Sequence, residues 1–453
     1  MKIYDTIHPL QDYLNIPLEC SCGKTHFVPV KAVDIGAGAI NRLPDYVKQF
    51  GYSYPFIVCD SITYEVAGKK CEQLLTGSGI RSCVHIIEHM IFDEATLGEL
   101  VVSIPMDCDL VIGVGAGSIS DMTRYFSYKL DRSCFTVATA APMDGFLSAF
   151  GILTVNNMKA TLDAHSAEVV IGDTDILRNA PYRMTVAGYG ELLSKISSLV
   201  DWEIARLAGG SDYCKHIADL TAACIADALD LGPKIRERDP KAIESVMNGL
   251  MVAGLVFRMF GTTQPTAGGE HFMSHTWDTL GDMAGKRLAM HGEQVVVGAI
   301  INFMLIDELL KENIDFEAAR EYSRKFDGAH WESEIRRVFG PAADEVLAFE
   351  NKAHRCDPAV RLRHIDNIEK NWAEIKAYLE SVPSPQKMIE LLRSVGLPAL
   401  PAEIGIDDQL LKDSMMYGND VRERYTTLQL VSELGLMDRL SDQVVARFRN
   451  EDF

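Results

Sequence analysis

Two histidines one helical turn apart, His271 and His275 in GGEHFMSHTWD, are followed by His291 in AMHGEQVVVG and preceded far upstream by Glu191 in AGYGELLSK. Residues four apart lie on one helix face, so the His271/His275 pair directs two imidazoles to one side of its helix. One carboxylate with two or three imidazoles makes an open site for Zn²⁺, Ni²⁺ or Fe²⁺, with positions left for a substrate oxygen. Hydride chemistry gives such a site a purpose. Taking hydride from an alcohol carbon requires the hydroxyl to lose its proton, and a divalent cation stabilises the alkoxide and holds it beside the acceptor. Each histidine taken alone is more often structural, and no HExxH-type signature is present to mark a metal.

A second set of residues suits a nucleotide. DLVIGVGAGSISDMTRYFSYKL runs from an apolar, strand-like segment through Gly113, Gly115 and Gly117 into a helix expected to begin near Ser118. Glycines let the backbone approach phosphates, and a helix N-terminus offers N–H groups at the positive end of its dipole. Ser118 and Asp121 form an S-x-x-D capping pattern there. The turn departs from GxGxxG, and alone it is equally a tight strand-to-helix connection. Asp60, ending the strand of VCDS, is placed to accept from a ribose 2′-hydroxyl and repel a 2′-phosphate, which favours NAD over NADP; a helix N-cap needs the same residue type there. TVATAAPMDGFLSAFG brings Thr139, Ala140, Ala141, Asp144 and Ser148 after the next strand. Its small residues permit close ligand approach, and Asp144 suits either a substrate hydroxyl or a self-bonded Asp-Gly turn. CSCGKTH offers Cys20, Cys22 and His26, three candidate ligands where a closed zinc site takes four, so it reads as a plain turn.

These residues need elements to position them. After an irregular preface, 1–33, short apolar runs alternate with amphipathic stretches: PFIVCD at 55–60, SCVHII at 82–87, DLVIGVG at 109–115 and CFTVAT at 134–139. Repeated strand–helix–strand units imply a parallel, doubly wound, Rossmann-like α/β domain, 34–183, with ligands at the strand C-terminal ends. Past Ala180–Pro181 helical periodicity takes over, through 187–207, 215–231, 242–260, 293–311 and 316–326. An all-helical metal and substrate domain is expected over 184–396. The Pro/Gly-punctuated SVGLPALPAEIGI sets off a C-terminal helical arm, 397–453.

Composition narrows the function classes. Of 453 residues, 47% are hydrophobic and 24% charged, an ordinary globular balance, and the net charge of −20 argues against nucleic acid and anionic membranes as partners. Ten scattered cysteines fit reduced thiols in a cytoplasmic protein. Met1–Leu14 lacks a signal-like apolar core, and the most apolar stretch, Val295–Ile306, is too short to span a bilayer.

Taken together, GAGSISD, TAAPMDGFLSAFG, APYRMTVAGYGELLSK with DWEIARL, GGEHFMSHTWD, HGEQVVVG, LPAEIGI and VRERYTTLQL resemble the sn-glycerol-1-phosphate dehydrogenases. That family lies within the superfamily of iron-containing alcohol dehydrogenases, glycerol dehydrogenases and dehydroquinate synthases. The resemblance covers nearly the whole chain. It implies NAD(H) contacts around the turn at Gly115, Gly117, Ser118, Ile119, Ser120 and Asp121, at Thr139, Ala140, Ala141 and Pro142, and at Ser148. It implies one divalent metal, Zn²⁺ or Ni²⁺, on Glu191, His271 and His291, with Asp144 and His275 at the substrate. It also implies reduction of dihydroxyacetone phosphate to sn-glycerol 1-phosphate for an ether-type phospholipid, by a homodimer. Two positions depart from the family pattern. Glu191 stands where the family has aspartate, a glutamate that dehydroquinate synthases share, and Gln264 stands where an arginine is usual, removing a forked donor for phosphate. Lys195, one turn beyond Glu191, is a candidate phosphate or alkoxide contact, or a solvated side chain. The alternatives are a dehydroquinate-synthase-like enzyme that recycles bound NAD, and a non-catalytic nucleotide-binding relative.

Overall fold

The computed structural model describes residues 2–3, 8–88, 92–155, 158–286 and 289–453, so part of the opening stretch, Met1 and residues 4–7, lies outside it. Six parallel strands form the main sheet: β1 (Ala32–Gly36), β2 (Pro55–Asp60), β3 (Cys83–Ile87), β4 (Leu110–Gly115), β5 (Ser133–Ala138) and β6 (Val169–Asp173), in the order β1-β6-β5-β4-β2-β3. The four strand-like runs are β2 to β5. The two others, AVDIG and VVIGD, are short and end in Gly or Asp, residues poor in strand propensity.

Both faces of the sheet are covered, as parallel sheets require. Ile57, Cys59, Ile112, Val114, Phe135 and Val137 pack on one side with Ile40, Leu43, Val47 and Leu75. Phe56, Val58 and Val111 pack on the other with Leu100, Met122 and Phe126. Consecutive side chains of a strand point to opposite faces, so the unbroken apolar runs serve two cores at once. Strand order reverses between β2 and β4. At such a switch point the connections leave in opposite directions and open a crevice at the strand C-terminal ends; here those ends are Asp60 and Gly115.

The first compact unit comprises Met1–Leu192 and Asp219–Thr262, and the second Leu193–Ala218 and Thr263–Phe453. Two of the three boundaries fall inside helices, α2 (Tyr182–Ile204) and α3 (Lys215–Ile235), and the third falls between Thr262 and Thr263, just past the helix Pro240–Phe260. In the first unit, α1 (Gly117–Lys129) follows β4, and α4 (Pro240–Phe260) starts at an Asp239 cap and ends at Gly261, φ 89°. α4 is long and apolar enough to cross a membrane, but 72% of its apolar window is buried inside the protein, as in a core helix. Among the described residues it, and not Val295–Ile306, is the segment that meets that test. The second unit holds helices and no strand among its described residues, including α5 (Gly269–Met283) and α6 (His291–Leu310).

Candidate active site

At the crevice, α1 begins one residue before the expected start: Ala116 is the N-cap, and no side chain caps the helix. Its first-turn N–H groups are therefore not satisfied by a side-chain cap, which suits an anion. The Ser118–Asp121 capping pattern does not form, because Ser118 already lies within the helix. Asp121 instead accepts from Arg124 and from Ile152 N at 3.3 Å. Burial, opposed by Arg124, pushes its carboxyl up to about 6. Arg124 also donates to Ser148 O (2.5 Å) and Phe150 O (2.7 Å), anchoring that segment to α1. Gly113 and Gly115 are packing residues. A Cβ would stand 2.3 Å from Thr123 Oγ1 at the first and 2.5 Å from Ile119 Cδ1 at the second.

Asp60 takes the cap role: its Oδ1 accepts from Ile62 N (2.8 Å) and Thr63 N (2.7 Å), and Asp60 N donates to Thr63 Oγ1 (3.0 Å). Thr139 N donates to Gly115 O at 3.1 Å, joining the two loops of the crevice. The Thr139–Ser148 loop is pressed against two helices. A Cβ at Gly188 of α2 would lie 1.9 Å from Ala141 O, and one at Gly254 of α4 2.6 Å from Asp144 O. The Asp144 side chain does not cap its own turn, so the self-bonded Asp-Gly reading is not realised. Ser148 Oγ accepts from Phe150 N at 3.0 Å.

Glu191, fully buried on α2, His271 on α5 and His291 at the first position of α6 bring a carboxylate oxygen and two ring nitrogens within 4.8 Å of one another. The rings of His271 and His291 are 5.2 Å apart. His275 stands 6.4 and 6.1 Å from them by ring centre, beside the ligand set and outside it.

The surrounding hydrogen bonds orient both imidazoles. His271 Nδ1 lies 2.8 Å from Glu270 Oε1, which also accepts from Ser198 Oγ (2.6 Å) and Gly268 N (2.8 Å). Burial alone would raise the Glu270 carboxyl, but these donors, led by His271, hold it below its ordinary value. An ionised carboxylate only accepts, so Nδ1 carries the proton and Nε2 presents its lone pair. Gln294 Nε2 donates to Asp278 Oδ1 (3.0 Å), which leaves Gln294 Oε1 to accept from Ser274 Oγ (2.7 Å). With its proton given to Gln294, the Ser274 oxygen accepts from His291 Nδ1 at 3.3 Å, so His291 Nε2 is the ring nitrogen that carries the lone pair. A divalent cation fits this set, two neutral imidazoles and one carboxylate, the composition of an open catalytic site.

Sequence reasoning missed the supports. Asp201 Oδ2 accepts from Gly269 N (2.7 Å) at the start of α5, and Oδ1 from Thr427 N (2.8 Å) and Thr427 Oγ1 (2.5 Å). Burial and the neighbouring Glu270 charge raise Asp201 above the usual carboxylate range. Thr427 lies in the VRERYTTLQL motif, whose part in the site shows only in the fold. Lys195 is fully buried, which excludes the solvated reading. Near Gln264, Arg424 donates to Thr263 Oγ1 (2.7 Å) and Ala267 O (3.4 Å). Burial pushes the guanidinium down to about 10, so it remains charged at neutral pH.

The chain is similar over its breadth to proteins of known class. Residues 34–181 match the family model for iron-containing alcohol dehydrogenase. A glycerol-1-phosphate dehydrogenase [NAD(P)+] of Geobacillus stearothermophilus is 29% identical over 433 residues, covering 94% of this chain and 98% of the relative. One from Archaeoglobus fulgidus is 30% identical over 275 residues, 59% of this chain and 75% of the relative. The crystal structure of glycerol dehydrogenase from Schizosaccharomyces pombe shares the fold, with a TM-score of 0.60 at 15% identity over 94% of this chain and 92% of that one. With a phosphate-ready helix at the sheet's switch point and a Glu/His/His set among its helices, the chain belongs to the glycerol-1-phosphate dehydrogenase family of NAD(P)-linked, metal-dependent oxidoreductases.

Proposed function

We propose that this protein interconverts dihydroxyacetone phosphate and sn-glycerol 1-phosphate with NAD(H) as coenzyme and one divalent cation, Zn²⁺ or Ni²⁺ before Fe²⁺, held by Glu191, His271 and His291. The observation that carries the reading is the hydrogen-bonded orientation of His271 by Glu270 and of His291 by Ser274, which leaves both Nε2 atoms as donors. When bound, the cation supplies Lewis-acid polarisation of the substrate oxygen, and the nicotinamide supplies or accepts the hydride.

The rest falls to the chain's own residues. The N-H groups at Gly117, Ser118 and Ile119 hold the coenzyme pyrophosphate, and Ser120 and Asp121 keep the helix in place behind them. The small residues Thr139, Ala140, Ala141 and Pro142, with Ser148, let the coenzyme lie against the backbone. Asp60 takes the adenosine ribose through Oδ2, since Oδ1 is committed to its cap. Asp144 hydrogen-bonds a substrate hydroxyl. His275 exchanges the proton of the reacting oxygen with solvent. Arg424, beside the position where Gln264 replaces the family's arginine, supplies the charge for the substrate phosphate together with Lys195. The longer Glu191 side chain does the work of the family's aspartate. The ten cysteines, scattered along the chain, accord with a reducing cytoplasm, and the working form is a homodimer, which sedimentation would check.

The test is NADH oxidation by metal-reconstituted protein with dihydroxyacetone phosphate, against dihydroxyacetone, other ketose phosphates and a chelator control. Chelator-sensitive turnover selective for dihydroxyacetone phosphate is the expected result. Absence of turnover in protein shown to hold both metal and NADH would sink the assignment, and product formation without net NADH loss would point to the synthase-type reaction.

A further inference from the structure

CSCGKTH is more than a plain turn. It closes a two-stranded hairpin, Leu18–Glu19 against Thr25–His26, with Leu18 opposite His26. Gly23 N donates to Cys20 O (3.0 Å) and Cys20 N to Lys24 O (3.1 Å), and Gly23 sits at φ 81°, a conformation that favours glycine. His26 is buried, and its Nδ1 lies 2.8 Å from the carbonyl oxygen of Met259 at the end of α4. A carbonyl only accepts, so Nδ1 carries the proton and Nε2 offers its lone pair; Cys22 Sγ is 3.4 Å from it. The fourth member comes from far along the chain. Cys214, buried immediately before α3, joins Cys20, Cys22 and His26, and the four donor atoms lie within 4.8 Å of one another. The segment carrying Cys214 is fixed from both sides: Trp202 Nε1 donates to Asp212 O (2.9 Å), and Ala218 N donates to Cys214 O (3.0 Å).

We propose that Cys20, Cys22, His26 and Cys214 form a second, structural metal site that takes Zn²⁺. Zinc bond lengths in a tetrahedron put sulfur and nitrogen donors about 3.5 Å apart and two sulfurs about 3.8 Å apart, so the observed set needs only small contraction. Three soft sulfurs select zinc over magnesium or calcium. Four protein ligands leave no open position, so this site does no Lewis-acid chemistry on substrate, unlike the Glu191 site. Its imidazole is oriented by a backbone carbonyl, as metal-ligating histidines usually are. On binding, the three thiols release their protons to water and no oxidation state changes. Three thiolates and a neutral imidazole on Zn²⁺ leave one net negative charge, and Lys24, in the same turn, supplies a nearby cation. The strands here are two residues long and bury too little to hold themselves, so the metal's role is to fasten the hairpin to the start of α3 and the end of α4.

The test is metal content and cobalt spectroscopy on the full-length protein. Wild type purified with zinc should carry about two metal ions per chain, and His291→Ala should keep about one. Cobalt-loaded wild type and His291→Ala should both show the near-ultraviolet sulfur-to-cobalt charge-transfer band, which the Glu/His/His site has no sulfur to produce. Cys22→Ser with Cys214→Ser should lose the band and one metal ion, and become sensitive to proteolysis near residue 23. Should the double variant fail to fold, the His291→Ala spectrum decides alone. A single metal ion in wild type with no sulfur-to-cobalt band, or a Cys20–Cys22 disulfide in metal-free protein isolated under reducing conditions, overturns the proposal.

Discussion

At the scale of single residues, the proposed site depends on groups outside its three metal-ligand candidates. Glu270 accepts three hydrogen bonds on one oxygen, one of them from His271. Replacing Glu270 with Ala frees the ring to turn and lowers its basicity, and loss of such a support typically weakens metal affinity by about 10–100-fold. Chelator competition should show that loss, with turnover restored by excess metal; unchanged affinity would mean that Glu270 merely fills space. Arg424 is a matter of specificity. Arg424→Gln should raise KM for dihydroxyacetone phosphate by roughly tenfold or more, the worth of a charge-assisted hydrogen bond, with little change in the weak turnover of unphosphorylated dihydroxyacetone. Equal losses on both substrates would make Arg424 a strut for the Thr263–Ala267 segment. Residue types and spacing made Glu191, His271 and His291 legible from the sequence, because metal chemistry restricts ligand choice severely. Glu270 lies inside GGEHFMSHTWD, yet neither its type nor its spacing marks it as a support for the imidazole. A carboxylate's target is set by the rotamers and neighbours of the folded helix, which adjacency in sequence does not encode.

At the scale of elements, close approach of backbones does the positioning. Gly188 lets α2 lie directly against the Ala141 carbonyl, three residues before Glu191, so one helix contacts the proposed coenzyme loop and carries a proposed metal ligand. Gly188→Ala forces a methyl group to 1.9 Å from that oxygen unless something shifts. Overpacking of this kind costs ~1–3 kcal/mol, and the displaced loop should bind NADH several-fold more weakly while metal content is kept. Thermal unfolding with NADH fluorescence titration would separate the two effects; lower stability with unaltered NADH affinity would remove the loop from the argument. The strands β2 to β5 were legible from their apolar, β-branched runs, although β3 lies at the sheet's edge. The edge strand Ala32–Gly36 and its neighbour Val169–Asp173 were not, because each carries an aspartate and a glycine in a run of only five residues. The S-x-x-D pattern misled for a related reason. Asp121 spends its hydrogen bonds on Arg124 and Ile152, a tertiary demand that outcompetes the local cap.

At the scale of the molecule, chain order and packing order part company. The strands end where the sequence texture changes, near Ala180–Pro181, yet the helical stretch Asp219–Thr262 packs with the sheet-bearing unit. Hydrophobic periodicity tells a helix which face to bury and says nothing about which neighbour will bury it. The same long-range closure gathers residues 191, 271 and 291 from three helices. A cation bound there links α2, α5 and α6, and because the unfolded chain presents no such preformed set, binding must stabilise the native state. At free metal 100-fold above Kd the gain is ~2.7 kcal/mol, growing with the logarithm of concentration. Stripped protein should therefore melt at a temperature that rises with added Zn²⁺ or Ni²⁺, and amide exchange should slow mainly around residues 187–195, 269–276 and 291–298. The cysteine and histidine hairpin is far from those segments in sequence, so His291→Ala should abolish the protection there while leaving any metal-dependent protection around residues 18–26 intact. Uniform protection across the chain, or protection that survives in His291→Ala at all three helices, would show that the ion acts elsewhere and that the Glu191 set is a structural cluster without its cation.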